Sequence, residues 1–587
     1  MVTFFCVATF LLAHVVVPAS SVLLDSFSAL PRTEYDFVIV GGGNAGAVLA
    51  NRLTEYSRWK VLVIEAGPTN ENVFNSRVPG LVATLQRSPY DWNYTTVPQP
   101  GLNGRSILIP RGHILGGTSS INGQFYTRCS SSDYDRLALN HLSLVLPADE
   151  SQAERWTEPA DGHDTTGEYD PRFHNKNGMT YVSVSGAPQA VDAKVLEASK
   201  QLGGDYAYRL DFNSGDSLGI GWVQLTVGHG ERSSSATAYL GPKYINRSNL
   251  HVLVGHQAVR VLNTTSRGGV PSLRTVRFVK KTEPNASVHE VTAKKELILS
   301  AGVIGTAQLL LLSGIGDSTE VRSKGIEPLV NLPSVGKNVT DQPFLALQWG
   351  LGINGTVTPS DALQQQWLAQ WNETRTGPLS SIGHNHLGWV RIPDESPVWS
   401  QYEDPSSGRN TPHIEFAFNG GAFHPNPGAT LTTVLIGLQP VSRGTLALNS
   451  ADPFEHPLLD LAFLDSDLDL YTMKYAISSL RRFFKAPAWD DYKLSPISPP
   501  PDEDDEEGLT EYLRNFGDSA AHAVGSAAMS AKNAPYGVVD PDLKLKKATG
   551  LRVVDASIMP YVTAGHTQAP VYAIAERAAD LIKDSWK

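Results

Sequence analysis

Short apolar runs, each closed by glycine or by an acid, punctuate this chain and set its first expectations. Phe37-Val38-Ile39-Val40 reads as a buried strand. It leads directly into Gly41-x-Gly43-x-x-Gly46 and the helical pattern Ala47-Val48-Leu49-Ala50-Asn51-Arg52-Leu53. A second apolar run, Val61–Ile64, ends in Glu65, nineteen residues after Gly46. Further on, Glu296–Ser300 predicts a strand that opens into Ala301-Gly302-x-x-Gly305-Thr306. A helix over Ala307–Leu312 and a turn at Ser313-Gly314-Ile315-Gly316 follow. Leu551–Ala556 predicts one more strand and Ala569–Lys583 a last helix. Between these lie β-like stretches such as Leu431–Leu438 and Gly444–Leu448, and no internal repeat is present.

The layout from Asp36 to Glu65, strand, glycine turn, helix, strand and acid, is that of a dinucleotide site. Glycine at Gly41, Gly43 and Gly46 permits a tight turn and close approach of backbone to a pyrophosphate, with Asn44 and Ala45 inside the turn. The phosphates then sit at the positive end of the helix. Glu65 is placed to accept hydrogen bonds from a ribose. Because such strands recur in three distant parts of the chain, the nucleotide domain is expected to be assembled from separated segments and interrupted by a substrate domain.

Composition narrows the classes. At 587 residues the chain exceeds one core, and 41% hydrophobic with 18% charged residues is ordinary globular make-up. A formal charge of −11 argues against nucleic acid as a partner. The acidic run Asp502–Glu507 reads as a solvated loop before a helix over Leu509–Phe516. The first 24 residues carry no charged side chain, and the apolar stretch from Phe4 to Val17 is shorter than the ~20 residues that span a bilayer. A signal peptide over residues 1–20, a secreted extracellular product and no membrane anchor are therefore expected. Sequons at Asn93, Asn246, Asn263, Asn285, Asn338, Asn354 and Asn372 agree with secretion. With Cys6 in the leader, Cys129 would stand alone, so neither a disulfide nor a Cys/His metal site is expected.

Two further stretches carry a resemblance. They are Arg111-Gly112-His113-Ile114-Leu115-Gly116-Gly117-Thr118-Ser119-Ser120-Ile121-Asn122-Gly123, and Ser300-Ala301-Gly302 through Ser313-Gly314-Ile315-Gly316. With the tail motifs Gly537–Leu543 and Ala564–Pro570, they resemble the glucose–methanol–choline (GMC) oxidoreductases, most closely fungal aryl-alcohol oxidases and pyranose dehydrogenases. The resemblance runs from about Tyr35 to the C-terminus. It implies an α/β fold, with a Rossmann-like FAD-binding domain over 34–160, 236–342 and 536–587. An α+β substrate-binding domain with an antiparallel sheet would occupy 161–235 and 343–535.

The resemblance also implies FAD, contacted by Arg111, Leu115, Gly116, Gly117, Thr118, Asn122, Gly123, Val259, Asp555, Ala556 and Gln568. Ile121 stands where some sugar-oxidising relatives carry a flavin-linking histidine, so the FAD is expected to be non-covalent. After Tyr134-Asp135-Arg136 the relatives' Gly-Trp-x-Trp segment is replaced by Leu137–Leu146.

Oxidising an alcohol with a flavin requires a base for the hydroxyl proton, and histidine suits that task at neutral pH. Of sixteen histidines, His522 and His566 lie in turn-rich, small-residue settings and match the family's paired active-site positions. His522 is assigned as the base, and His566 as the partner that positions the alcohol oxygen. Trp92 and Phe423 are candidate pocket aromatics, with Tyr94 beside the former. Leu102 stands where aryl-alcohol oxidases often carry an aromatic residue, which counts slightly against a purely aromatic substrate. The expected activity is dehydrogenation of a primary alcohol, aryl or allylic by preference, or of a sugar, with oxygen or quinone as acceptor. A quinone-reducing pyranose dehydrogenase, a FAD-containing hydroxynitrile lyase-like protein and, from the altered segment after Arg136, an inactive flavoprotein are the alternatives.

Overall fold

Two sheets organise the chain. The computed structural model describes residues 23–32, 34–140, 153–280, 287–351, 360–420 and 430–587. The leader expected over residues 1–20, most of the atypical stretch Leu137–Leu146, the sequons Asn285 and Asn354, and Phe423 all fall wholly or largely outside these residues.

The first sheet is mostly parallel. Its strands run Leu23–Leu24, Leu250–Leu253, Val61–Ile64, Glu34–Val40 and His289–Leu299 in spatial order. Leu551–Val553 pairs parallel with the last residues of His289–Leu299, Leu297 to Leu299. Thr275–Val279 and Gln257–Leu262 extend that strand's other end antiparallel. The central strands are apolar without alternation because both faces are covered, as expected for parallel strands. The helix Asn44–Leu53 lies against the C-terminal helix Gln568–Trp586. Arg52 joins them through Glu576 at 2.6 and 2.9 Å, and the Tyr239 hydroxyl donates to the same carboxylate at 3.0 Å. A buried pair of this kind contributes orientation more than net stability. The helix Gly302–Leu312 is apolar on nearly every side and almost wholly buried.

The pattern-based expectations hold with shifted boundaries. The first helix begins at Asn44, inside the glycine motif, because Gly43 is its N-cap. The helix expected over Ala307–Leu312 begins at Gly302, and the last one runs on to Trp586. Leu551–Ala556 is a strand only to Val553, after which Asp555 turns the chain into a short 3-10 segment. Thr445–Ala447 pairs with Leu458–Asp460 in a separate two-stranded ladder.

The second sheet is antiparallel, in the order Ser495–Ile497, Pro343–Gly350, Thr430–Gly437, Ile414–Asn419, His384–Val390 and Gly219–Trp222. Asp518–Ser519 also pairs with Pro343–Gly350. This pairing carries the chain towards His522 and so brings the end of the second sheet to the carboxyl ends of the first sheet's central strands, at Val40, Ile64 and Ser300. No helix among the described residues is long and apolar enough to cross a membrane.

Candidate functional site

A cavity of about 500 Å³ is bounded by the glycine turn, by the Arg111–Phe125 loop and by the second sheet. Gly41 has φ of +99°, and a Cβ there would lie 2.3 Å from the Ser300 carbonyl oxygen. A Cβ on Gly46 would lie 1.9 Å from the Gly41 carbonyl oxygen, so that glycine closes helix onto strand. Gly43 differs: its nearest atom would be 3.6 Å away, and it faces the cavity together with Asn44 and Ala45. The N-terminus of the helix therefore opens onto the cavity.

Glu65 closes the turn. Its Oε2 accepts the Gly42 N–H and its Oε1 the Gly67 N–H, both at 2.7 Å. Burial raises the carboxyl to about 7, against the pull of those amides and that of Ala66. Asp555 ties the separated segments together. Its Oδ2 accepts from Gly302 N–H at 3.0 Å and the Thr306 hydroxyl at 2.6 Å, and its Oδ1 accepts from Ser557 N–H at 2.8 Å. Burial raises this carboxyl also.

Most expected cofactor residues line the cavity: Gly41, Gly43, Asn44, Ala45, Glu65, Arg111, Gly117, Thr118, Asn122, Gly123, Asp555, Ala556 and Gln568. Gly46, Leu115, Gly116 and Val259 do not. Gly46 is consumed in helix–strand contact, and Gly116, with φ of +89°, donates its N–H to the Gly42 carbonyl at 2.8 Å. Leu115 packs beneath Gly42. Val259 sits at a bulge in its strand, and the neighbouring His256, Gln257 and Ala258 face the cavity in its place. Ile121 is buried at the cavity wall and joins Val73, Leu85 and Ile114.

The cavity fits a large polar cofactor. Gln124 Oε1, Gln257 Oε1 and Ser300 Oγ are buried polar atoms without a protein partner, and all three residues line it. Buried polar atoms without partners cost free energy, so three around one cavity point to a ligand with hydrogen-bonding groups.

His522 and His566 meet in the same cavity, with His522 Nε2 3.1 Å from His566 Nδ1 and the rings edge to face at 4.7 Å. They come together although they are 44 positions apart, because the Asp518–Ser519 pairing and the turn before the last helix converge. Phe125 stacks on His566 at 4.5 Å and 6°. His522 is held well below its ordinary pKa, first by burial and then by the charges of His566 and Arg111. His384, across the site, is lowered to about 4 mainly by burial.

Several partners escaped the sequence reading. Glu415 Oε1 lies 2.9 Å from His566 Nε2, while its Oε2 accepts from Trp389 Nε1 at 2.7 Å. A single acid inside the apolar run Ile414-Glu415-Phe416-Ala417-Phe418 was the visible signal, since a buried carboxylate demands a partner. Arg232 is buried, and burial brings it down to about 9. Its Nη1 donates to Ser119 O at 3.1 Å, Asn122 O at 2.7 Å and Asn122 Oδ1 at 2.9 Å. That leaves Asn122 Nδ2 to donate to Gln568 Oε1 at 2.6 Å.

Trp92 and Tyr94 line the cavity, with rings stacked at 5.6 Å. Leu102 does not: it is 1% exposed in the core, next to Gly517, so its identity says nothing about the substrate. Among the described sequons, Asn93, Asn246, Asn263 and Asn372 are exposed. Asn338 is half-buried, and its Nδ2 donates to Pro560 O at 2.9 Å.

Comparison with known proteins agrees with this geometry. Family profiles described as GMC oxidoreductase match residues 35–344 and 440–575. The dehydrogenase eriK of Hericium erinaceus is 39% identical over 98% of both chains. The pyranose dehydrogenase of Agaricus campestris is 40% identical over 94% of both. Among solved structures, a formate oxidase superposes with a TM-score of 0.83 at 28% identity, covering 94% of this chain and 99% of its own. A fungal aryl-alcohol oxidase superposes at 0.81 and 26%, covering 94% and 100%.

Proposed function

Because this chain belongs to the GMC oxidoreductase family, whose members bind FAD, we propose that it dehydrogenates the CH–OH group of a small sugar or alcohol with His522 as the base. The observation that carries this reading is the pair His522 and His566, with ring nitrogens 3.1 Å apart inside the cavity that opens onto the glycine turn. When bound, FAD supplies the hydride acceptor. Loss of hydride from a neutral alcohol would leave a protonated carbonyl, a high-energy species. His522 Nε2 removes the hydroxyl proton and avoids it. His566 holds the alcohol oxygen in place, and Glu415 and Phe125 hold His566.

The pH dependence follows from burial. Free imidazole is the active form, so the rate is full above the pKa of His522 and falls as pH drops through it. Burial first, and then the electrostatic influence of His566 and Arg111, place that pKa well below the ordinary 6.5. The rate of flavin reduction is therefore expected to stay level from neutral pH down past 6.5 and to decline only in more acidic solution. Anaerobic stopped-flow reduction across pH measures this. A decline centred above 6.5 would show that the site does not suppress the basicity of His522.

A sugar hydroxyl is the favoured substrate class, since relatives named pyranose dehydrogenase are 38–40% identical over nearly the whole chain. The second reading, an aryl alcohol, is favoured by the apolar wall of Phe344, Ala417, Val434 and Ile436 with Phe125, which suits an apolar ring. Ile121 offers no nucleophile, which supports non-covalent FAD that acid precipitation releases into solution. An anaerobic screen of pyranoses and benzylic alcohols, followed by reoxidation with oxygen or benzoquinone, tests substrate and acceptor together. Failure of every sugar and alcohol to bleach the flavin would refute the reading.

Secretion is proposed from the uncharged apolar start and the sequons. Glycan is expected at exposed Asn93, Asn246, Asn263 or Asn372, and absent from Asn338, which is half-buried. Peptide mass mapping of the secreted protein reads this directly, and a fully occupied Asn338 would contradict it.

A further inference from the structure

We infer that Gln342 is a positioning residue that sets the tautomer of His522, keeping a proton on Nδ1 and the lone pair on Nε2, the nitrogen in the cavity. The inference rests on the reading of His522 as the base and adds the residue that orients it. Gln342 belongs to Asp341-Gln342-Pro343, at the head of the strand Pro343–Gly350. Its amide has one possible orientation. Gln342 Nε2 donates to the Leu438 carbonyl at 3.0 Å and the Thr563 carbonyl at 3.1 Å. Carbonyl oxygens only accept, so the nitrogen must face them, and Oε1 is left facing His522 Nδ1 at 2.7 Å.

An amide oxygen accepts only, so His522 donates from Nδ1. A neutral imidazole with its hydrogen on Nδ1 carries its lone pair on Nε2, the nitrogen turned towards His566. The preceding residue grips the backbone of the same histidine. Asp341 Oδ1 accepts the His522 N–H at 2.8 Å, and its Oδ2 accepts from the Ser519 hydroxyl at 2.6 Å. Two adjacent residues thus hold ring and main chain together.

The partners of the two histidines differ in kind. His566 Nε2 faces a carboxylate, Glu415, whereas His522 Nδ1 faces a neutral amide. With a lone pair on His522 Nε2, the 3.1 Å contact requires a hydrogen on His566 Nδ1. One ring therefore presents an acceptor to the cavity and the other a donor. A hydroxyl that replaces this direct contact donates to His522 and accepts from His566. The amide adds no charge to His522, which is surrounded by Arg111, Asp341 and His566, with Glu415 and His384 beyond His566. A carboxylate at position 342 would orient the ring equally well but would raise its basicity.

The test uses flavin-loaded wild type, Gln342→Met and Gln342→Glu, each checked for flavin content and Tm. Ring ¹⁵N shifts of the wild type, assigned by the signals lost in His522→Ala, are expected to show a protonated Nδ1 and a bare Nε2. Gln342→Met removes the acceptor at similar length. It is expected to slow anaerobic flavin reduction by at least ~10-fold and to mix the two ¹⁵N tautomers, since a mis-set tautomer behind a catalytic histidine is costly. Gln342→Glu is expected to keep the tautomer and shift the acid decline upward by about one pH unit or more, as a carboxylate within hydrogen-bond reach does. A proton on Nε2 in the wild type overturns the inference. So does a Met variant that is slow while its ¹⁵N pattern is unchanged, or one that is as fast as the wild type. If no sugar or alcohol reduces the wild-type flavin, the catalytic reading falls, and the ¹⁵N pattern alone decides the tautomer.

Discussion

His522→Ala is expected to yield a yellow, folded enzyme whose flavin is reduced by substrate at least ~10²-fold more slowly, the scale on which loss of a general base is felt. The side chain hydrogen-bonds to Gln342 and His566, and its own N–H is held by Asp341. Removing the ring leaves the backbone contact to Asp341 intact, so folding and FAD binding are expected to survive. No other group on the cavity wall replaces it easily. His566 Nε2 is committed to Glu415, His384 lies across the site, and Arg111 cannot accept a proton. His566→Ala is also expected to be slow, because an unheld hydroxyl loses the alignment needed for hydride loss. The two histidines act on one oxygen, so the double variant is expected to lose far less than the product of the single losses. Single-turnover reduction under anaerobic conditions separates this from effects on reoxidation. Reduction of the His522→Ala flavin at near the wild-type rate would assign the base elsewhere.

The second large effect concerns two glycines three positions apart. Gly46→Ala is expected to abolish the folded holoenzyme. Its methyl would stand 1.9 Å from the Gly41 carbonyl oxygen and 3.0 Å from its carbon, atoms of main chain inside the central strand–helix contact. Neither can yield without separating helix from sheet, and overpacking of this kind costs about 1–3 kcal/mol or more. Gly43→Ala is expected to behave differently. Its φ of −83° is open to any residue, and its nearest contact would be an ordinary 3.6 Å from Gly117 Cα. The fold should persist, while the methyl enters the cavity at the helix N-terminus and weakens FAD binding by on the order of tenfold, the equivalent of about 1.4 kcal/mol. Thermal unfolding and flavin retention on dialysis distinguish the two. A Gly46→Ala enzyme that keeps both its Tm and its flavin would mean that the close approach of helix and strand is not required.

Much of this was legible along the chain because it is local. The run Asp36–Glu65 encodes strand, turn, helix and strand through burial period and through positions where a side chain cannot fit. Those demands are met within thirty residues. The same holds for the final helix and for His522 and His566 as candidates, since small-residue turns around a histidine are visible in one dimension. Boundaries shifted where a cap or a turn decided them, as at Gly43 and Asp555. Leu102 misled because a position in one dimension does not reveal which side of a wall a side chain occupies.

The sequence by itself determined the dinucleotide half of the site, for there the backbone is both scaffold and ligand-binding surface, and glycine leaves a direct trace. Only the tertiary structure decided how the two histidines differ. Glu415 lies 151 positions from His566 and Gln342 lies 180 from His522, and each pair meets only because an antiparallel sheet is carried to the carboxyl ends of a parallel one. The apolar strand around Glu415 announces that a buried acid must have a partner; which partner it has is set by packing between sheets. The tautomer of His522 is further still from the sequence, since it follows from two carbonyls, Leu438 and Thr563, that fix one amide. Side-chain hydrogen bonds of that kind are products of register between distant strands, and register is a property of the assembled fold.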